Sequence, residues 1–207
     1  LAPNAIGMVG PAILAYGTDE QKNHYLPRIR SGEDYWAQGY SEPGSGSDLA
    51  SLQCKAERDG DDYVINGTKI WTTHAQWSNM IFCLVRTDTS GKPQQGITFL
   101  LFDIHLPGIE IRPLISISGD HEFNQVFFEN VRVPVSAVLG KENEGWTVAK
   151  YLLQHERGSS YASSLKVRLQ RVRDFAAQEE DGSGARLGED VHFTRKLASA
   201  EIELMAM

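Results

Sequence analysis

Between residues 36 and 140 the sequence contains a series of short segments rich in aromatic and β-branched residues, each of strand length. Gly, Pro, Asp or Ser separates consecutive segments, which is typical of strands joined by turns. The segments are DDYVINGTKIWTT, SNMIFCLVRTD, GITFLLFDI, GIEIRPLI and NQVFFENVRVP. Five or six antiparallel strands at this spacing predict a β-barrel or a β-sandwich.

The first of these segments contains a strong turn signal of its own. Asn66-Gly67 lies between two β-rich arms, and this dipeptide favours a type I′ turn in a two-residue hairpin. We therefore predict a hairpin whose turn is at Asn66-Gly67.

Helical patterns flank the predicted strands on both sides. Up to about residue 34 the pattern is helical; Thr18 predicts a helix start with a capping box to Gln21, and Pro27 ends or kinks that helix. Residues 144–178 form one long proline-free helical pattern. After the interruption EEDGSGARLGED, a last helix is predicted over residues 191–207.

These changes of pattern predict three parts: residues 1–35, 36–140 and 141–207. The sequence begins with Leu rather than Met, and its last predicted helix is apolar and runs to the final residue. We therefore interpret it as part of a longer protein.

Composition excludes several classes of function. With 41% hydrophobic residues among 207, the chain can bury a core. Its net charge of -7, without a basic cluster, argues against binding of nucleic acid. The two cysteines have neither metal-ligand spacing nor a disulfide framework, which favours a reducing, cytoplasmic setting. The apolar N-terminus lacks a basic region and is broken by Pro and Gly, so we predict neither a signal peptide nor a membrane span.

The stretch GYSEPGSGSDLA, residues 39–50, has two possible interpretations. It could be a surface linker, which is the commoner role of a Gly/Ser-rich loop. It could also hold a phosphate or a flat ring with its backbone, because Gly44 and Gly46 let the main chain approach a ligand and expose amides that suit anions.

Four motifs in this order resemble the acyl-CoA dehydrogenase family. YSEPGSGSDLASLQCKA is similar to the family's T/S-E-P-x-x-G-S-D signature, and DDYVINGTKIWTTHA to the hairpin that follows it. LAYGTDEQKNHYLPRIRSGE resembles the helix before the barrel, and NQVFFENVRVPVSAVLGKENEGW the exit from it. The resemblance covers roughly residues 1–160. It implies an α+β multidomain fold: a helical segment, an antiparallel β-barrel middle domain that binds the flavin, and the start of a helical bundle.

The resemblance also implies FAD as the cofactor and assigns roles to the first motif. Ser41 corresponds to the hydroxyl residue near flavin N1 and O2, with the backbones of Gln38 and Tyr40 along the ring. Gly46 and Ser47 correspond to the positions where the diphosphate and the pantetheine arm of the substrate pass.

The second motif would complete the flavin site. The resemblance places the indole of Trp71 against the flavin, with Thr72 beside it and Thr73 offering a hydroxyl or amide to N5. The alternative for Trp71 is to fill the barrel core, which is the commoner fate of a strand tryptophan.

The implied reaction is α,β-dehydrogenation of an acyl-CoA thioester, in which a glutamate of raised pKa removes the Cα proton. In many relatives this glutamate lies at a position beyond Met207, whereas in others it directly precedes an arginine on the first helix after the barrel. Glu156-Arg157 matches the second arrangement. Glu156 follows Leu152 by four residues, which predicts an inward position. Alternatively, Glu156 is a surface charge or part of a local ion pair. Gln154 and Arg157, with Ser47, match residues that contact the substrate.

Two departures from the family pattern bear on partners. The family's R-x-x-F-G element, which reaches a neighbouring subunit's flavin, is not recognisable, and this puts the usual homotetramer in doubt. The departure points to bacterial branches acting on dicarboxylic or steroid side-chain thioesters, some of them heteromeric. His121 and Glu122 replace an Arg-containing segment and could touch a ligand or partner, although a solvated loop is the simpler interpretation.

The implied electron acceptor is an electron-transfer flavoprotein or a similar carrier, within a homo- or hetero-oligomer. Two alternatives stay open. One is a non-catalytic structural subunit of a heteromeric enzyme. The other is an oxidase on the same fold, acting on acyl-CoA or on a nitroalkane.

Overall fold

The computed structural model describes residues 4–156, 160–180 and 182–206. The chain divides into two compact units, Leu1–Glu156 and Arg157–Met207. The first unit combines helices with a curled sheet, and the second contains helices.

The first unit begins with helices, as the sequence predicts. A π-helical segment, Ala5–Val9, is followed by α1 (Gly10–Tyr16) and α2 (Asp19–Ser31). The predicted capping box of α2 is confirmed: the Gln21 N–H donates to Thr18 Oγ1 (3.2 Å) and the Thr18 N–H donates to Gln21 Oε1 (3.1 Å). Pro27 does not end the helix, which continues to Ser31.

Seven strands form one curled sheet, a half-barrel. The strands are β1 (Trp36–Gly39), β2 (Lys55–Asp59), β3 (Asp62–Lys69), β4 (Met80–Arg86), β5 (Ile97–Asp103), β6 (Ile109–Ile115) and β7 (His121–Pro134). Their order is β1-β4-β2-β3-β7-β6, with β5 also paired to β4.

The prediction of a wholly antiparallel sheet was wrong at two pairings. β1 runs parallel to the first half of β4, and β2 contacts the end of β4 in the same parallel sense. The remaining pairings are antiparallel. The parallel pairs arise because the chain passes through β2 and β3 before it returns as β4.

The predicted turn at Asn66-Gly67 was also wrong. Both residues lie inside β3, and the hairpin turn is at Gly60-Asp61, where Asp59 pairs with Asp62. Gly67 instead lies at a register shift between β3 and β7, with φ of 152°. A Cβ there would approach the Cα of Cys54 to 2.7 Å, so glycine is needed for close strand packing rather than for a turn.

The predicted helices after the sheet are present on both sides of residues 157–159, which lie outside the described residues. α3 (Gly145–Glu156) completes the first unit. The second unit contains α4 (Ser160–Ala176) and α5 (Val191–Met205). Asp190 caps α5 by accepting a hydrogen bond from the Phe193 N–H (2.6 Å).

The central strand β4 contributes to two hydrophobic clusters on its two faces. Phe82 and Leu84 pack with the helices, in a cluster that includes Leu152 of α3. Cys83 and Val85 pack with the inner residues of the other strands. Because side chains alternate along a strand, one face of β4 packs against the helices and the other against the residues of the second cluster.

Two kinds of feature are absent from the described residues. No helix there is long and apolar enough to cross a membrane. No group of three or more His, Cys, Asp or Glu side chains there could hold a metal ion.

Candidate functional site

The fold brings the two motif segments into direct contact. The loop with the first motif follows β1, and the second motif follows β3. The Ile70 N–H donates to the carbonyl of Ser41 at 2.9 Å. The residues predicted to face a flavin from two separate motifs therefore lie beside one another.

A buried ion pair holds this junction. Lys69 is fully buried, and its Nζ donates to Glu42 Oε1 (2.8 Å) and to the Tyr40 carbonyl (3.1 Å). The Glu42 carboxylate also accepts from the backbone N–H groups of Gln53 (2.7 Å) and Cys54 (2.9 Å). Glu42 of the SEP motif thus has a structural role: it ties the loop to the end of β3 and to the chain entering β2.

The loop beyond Glu42 is a tight turn that leaves its outer residues open. Glu42 and Ser45 exchange backbone hydrogen bonds of 2.7 and 3.0 Å across Pro43-Gly44. Gly46 and Ser47, which follow, are exposed and form no hydrogen bond with any described residue. A Cβ built on Gly46 meets nothing within 4 Å. Their amides are available to an anionic ligand, as the second interpretation of this loop requires.

The second motif adopts an unusual backbone conformation. The backbone φ angles of Trp71 and His74 are positive, 59° and 58°, a conformation that residues other than glycine rarely adopt. Trp71 is 60% exposed, and its ring packs edge-on against Phe123 with centroids 6.0 Å apart. The alternative that Trp71 fills the core is therefore excluded.

Several polar groups around the junction are unengaged within the described part of the chain. The hydroxyls of Ser41 and Thr73 are half-buried and form no hydrogen bond there. The Thr72 hydroxyl is buried and also lacks a partner among those residues. The Ser41 and Thr73 hydroxyls are partly accessible and can form hydrogen bonds with a bound ligand, whereas the Thr72 hydroxyl is enclosed by the protein itself.

Tyr40 connects this junction to the end of α3. Its ring is buried against Phe82 and Phe99, and its hydroxyl has no partner among the described residues. Burial raises the pKa of Tyr40 well above its usual value, and the negative charge of Glu156 raises it further. Glu156 therefore lies within electrostatic range of the loop.

The predicted inward position of Glu156 was wrong in this structure. Leu152 is buried, but Glu156, one turn later at the end of α3, is exposed. The buried residues of α3 end at Leu152, so the last turn of the helix has no buried side chain. Gln154 is exposed as well, and Arg157 lies outside the described residues.

The prediction of a solvated loop at His121 and Glu122 needs correction too. Both residues belong to β7, and His121 is half-buried with its Nε2–H donating to Asn124 Oδ1 (2.8 Å). This hydrogen bond connects His121 to the second motif through Asn124.

The two cysteines behave as core residues rather than as nucleophiles. Burial raises the pKa of Cys54 to about 11 and the pKa of Cys83 further above its usual value. Both thiols therefore stay protonated near neutral pH.

Comparison with known proteins decides the family. Residues 37–131 match the sequence model of the acyl-CoA dehydrogenase middle domain, and residues 2–33 match that of the acyl-CoA dehydrogenase N-terminal domain. Acyl-CoA dehydrogenase IpdE1 of Mycobacterium tuberculosis is 43% identical over 180 residues, which cover 84% of this chain and 47% of that protein. The chain belongs to the acyl-CoA dehydrogenase family. Proteins of this family are flavoprotein oxidoreductases of fatty acid and lipid metabolism.

Solved structures share the fold described above. The ChsE4-ChsE5 complex from Mycobacterium tuberculosis matches with a TM-score of 0.82 and 37% identity, covering 100% of this chain and 54% of that one. The Tcur3481-Tcur3483 steroid ACAD matches with a TM-score of 0.80 and 37% identity, covering 98% and 52%. The chain spans about half the length of the curated relatives it matches.

Two residues that hold the acyl-CoA dehydrogenase motifs were missed by sequence reasoning. Lys69 is joined to Glu42 across a sequence separation of 27, so nothing local reveals the pair. Asn124, which contacts the second motif, does have a local signal. It shares the inward alternation of Val126 and Phe128 on β7, where a polar side chain must find a buried partner.

Proposed function

We propose that this chain contains the FAD site and the catalytic base of an acyl-CoA dehydrogenase. The complete protein would form a double bond between Cα and Cβ of an acyl-CoA thioester. One observation supports this proposal above the others: the Ser41–Ile70 contact joins the two motifs, and unengaged polar groups surround that contact.

The residues at the junction fit an FAD molecule chemically. The open amides of Gly46 and Ser47 suit the diphosphate, which needs donors without requiring a lysine. The hydroxyls of Ser41 and Thr73, which form no hydrogen bond with any described residue, suit the polar edge and N5 of the ring. The exposed indole of Trp71 offers a flat apolar face to the ring, with Thr72 beside it. The backbones of Gln38 and Tyr40 would run along the ring in this arrangement.

Other residues of this chain would remove the proton and bind the substrate. Glu156 takes the proton from Cα, and its position within electrostatic range of Tyr40 supports a place beside the first motif. Gln154, Arg157 and Ser47 would hold the thioester and pantetheine arm of the substrate. FAD, when bound, supplies the acceptor for the hydride that leaves Cβ.

We further infer the domain layout and the assembly. Residues 1–35 would end an N-terminal helical domain, 36–140 would form the β-barrel domain, and 141–207 would begin a C-terminal helical domain. The family matches at 2–33 and 37–131 support the first boundary.

The similar structures of a ChsE4-ChsE5 complex and of a steroid ACAD support a heteromer acting on a steroid-derived thioester. An electron-transfer flavoprotein or similar carrier, in the cytoplasm, would accept the electrons.

The test of this function is flavin reduction in the complete protein. Glu156→Gln should slow the reduction by an acyl-CoA about 10²–10⁴-fold while the flavin stays bound, because the proton then has no acceptor. Stopped-flow absorbance measures this rate. Glu144→Gln is the matched control, since Glu144 is an exposed glutamate just before the same helix, and its rate should not change.

Other outcomes decide between the alternatives. A wild-type rate for Glu156→Gln would contradict the assignment of the base. A complete protein that binds no flavin would favour the non-catalytic subunit, an alternative that is consistent with the heteromeric structures. Rapid reoxidation of the reduced protein by oxygen would favour an oxidase.

A further inference from the structure

The segment Trp71–His74 needs an external support to keep its conformation. Its two positive-φ residues are unfavourable outside glycine, and such conformations persist only where surrounding contacts impose them. The segment belongs to no helix or strand, so regular hydrogen bonding does not supply these contacts.

β7 supplies the first set of contacts through its backbone. Thr72 and Asn124 exchange hydrogen bonds: the Thr72 N–H donates to the Asn124 carbonyl (2.9 Å), and the Asn124 N–H donates to the Thr72 carbonyl (3.1 Å). The His74 N–H donates to the Glu122 carbonyl (2.9 Å). Both ends of the segment are therefore attached to the first residues of β7.

The Asn124 side chain supplies the second set. It is fully buried, and its Nδ2 donates to the Thr72 carbonyl (3.1 Å) and to Gln76 Oε1 (2.5 Å). Its Oδ1 accepts from His121 Nε2 (2.8 Å), and Gln76 Nε2 donates in turn to the His121 carbonyl (3.0 Å). The amide thus uses both donor hydrogens and its acceptor oxygen, and it spans the turn from Thr72 to Gln76.

A second support acts at the far end of the segment. The Tyr35 hydroxyl lies 2.7 Å from His74 Nδ1 and is hydrogen-bonded to it. The Tyr35 backbone is fixed in turn, because its N–H donates to Asn79 Oδ1 (2.7 Å). This contact holds His74 but does not reach Thr72, which leaves Asn124 as the side chain that fixes Thr72, the residue before Thr73.

We propose that Asn124 is a positioning residue for the flavin site. It holds Thr72 directly and thereby orients the next residue, Thr73, whose partly accessible hydroxyl can meet the cofactor, without touching the cofactor itself. Gln76 and His121 complete this support, which we call the Asn124 clamp. The inference rests on the proposed function only for the identity of the ligand. The hydrogen bonds of the Asn124 clamp are present in the protein without any ligand.

The test combines a measurement on the flavin-free protein with one on the flavin. Asn124→Leu, of similar size but without the amide, should raise the hydrogen exchange rate of the backbone amides in residues 70–77 about tenfold in the flavin-free form. In the flavin-bound form it should shift the midpoint reduction potential and change the shape of the flavin absorption band. Exchange elsewhere in the sheet should stay as in wild type.

Two further variants complete the design. Gln125→Leu removes an amide from the next residue of β7, which has no hydrogen bond to the segment, and should leave exchange and potential unchanged. Gln76→Ala removes one partner of the clamp without altering the buried core, and should reproduce the exchange effect in weaker form. If Asn124→Leu does not fold, the exchange measurement on Gln76→Ala tests the clamp in its place.

Failure of the clamp proposal and failure of the proposed function would give different results. Wild-type exchange in residues 70–77 of both clamp variants would overturn the proposal, and so would an unchanged flavin potential with increased exchange. A wild-type protein that takes up no flavin would contradict the proposed function, while the exchange comparison would still decide whether Asn124 holds the segment.

Discussion

Lys69 shows how the candidate site depends on single buried polar residues. It lies at the end of β3, fully buried, with its charge paired to Glu42 and its ammonium also bonded to a backbone carbonyl. Removing one partner from a buried pair leaves an uncompensated charge, which costs more than the pair itself contributes. The same reasoning applies to Asn124, whose partners would be left unpaired without its amide.

We therefore predict that Lys69→Met lowers the free energy of unfolding by about 3–5 kcal/mol, because Glu42 remains buried without its cation. Urea denaturation followed by circular dichroism measures this change. Lys55→Met is the control, since Lys55 lies exposed on β2, and its effect should stay within about 0.5 kcal/mol. Equal effects of the two substitutions would contradict the structural role of the pair.

At the scale of elements, most strand and helix positions could be predicted because hydrophobic periodicity is local information. The capping box of α2 is present as expected, and β3 to β7 overlap the predicted segments, whereas β1 and β2 were not among them. The parallel pairing of β1 with β4 could not be predicted, because it depends on the path of the chain between them. The misplaced turn has a similar cause. Asn66-Gly67 has the composition of a turn, but its neighbours β2 and β7 keep it in a strand.

Gly67, inside β3, and Gly60, at the actual hairpin turn, should respond differently to substitution. Gly67→Ala should destabilise the protein by more than about 2 kcal/mol, since the new Cβ would meet the Cys54 backbone at 2.7 Å. Gly60→Ala, at the actual turn with φ of 63° and open space around it, should cost only about 1 kcal/mol. Thermal unfolding compares the two. A larger loss for Gly60→Ala would contradict the close strand packing described at Gly67.

At the scale of the whole molecule, the site is assembled from motifs that are distant in sequence. The assignment of residues to the flavin stays a prediction from their motifs, and the Ser41–Ile70 contact brings those two motifs together. The clamp and the buried pair could not be predicted, because each joins residues that only folding makes neighbours. The exposure of Glu156 was also beyond prediction, since periodicity gives the face of a helix but not what covers its end.

The flavin content of the complete protein tests the central claim most directly. We expect one FAD per chain, measured by the absorbance of oxidised flavin at roughly 450 nm. Gly46→Val should abolish flavin retention and leave the fold intact. A Cβ on Gly46 meets no protein atom within 4 Å, so the branched side chain would obstruct only the backbone's approach to the ligand. A wild-type protein without flavin, or Gly46→Val with full flavin content, would contradict the account.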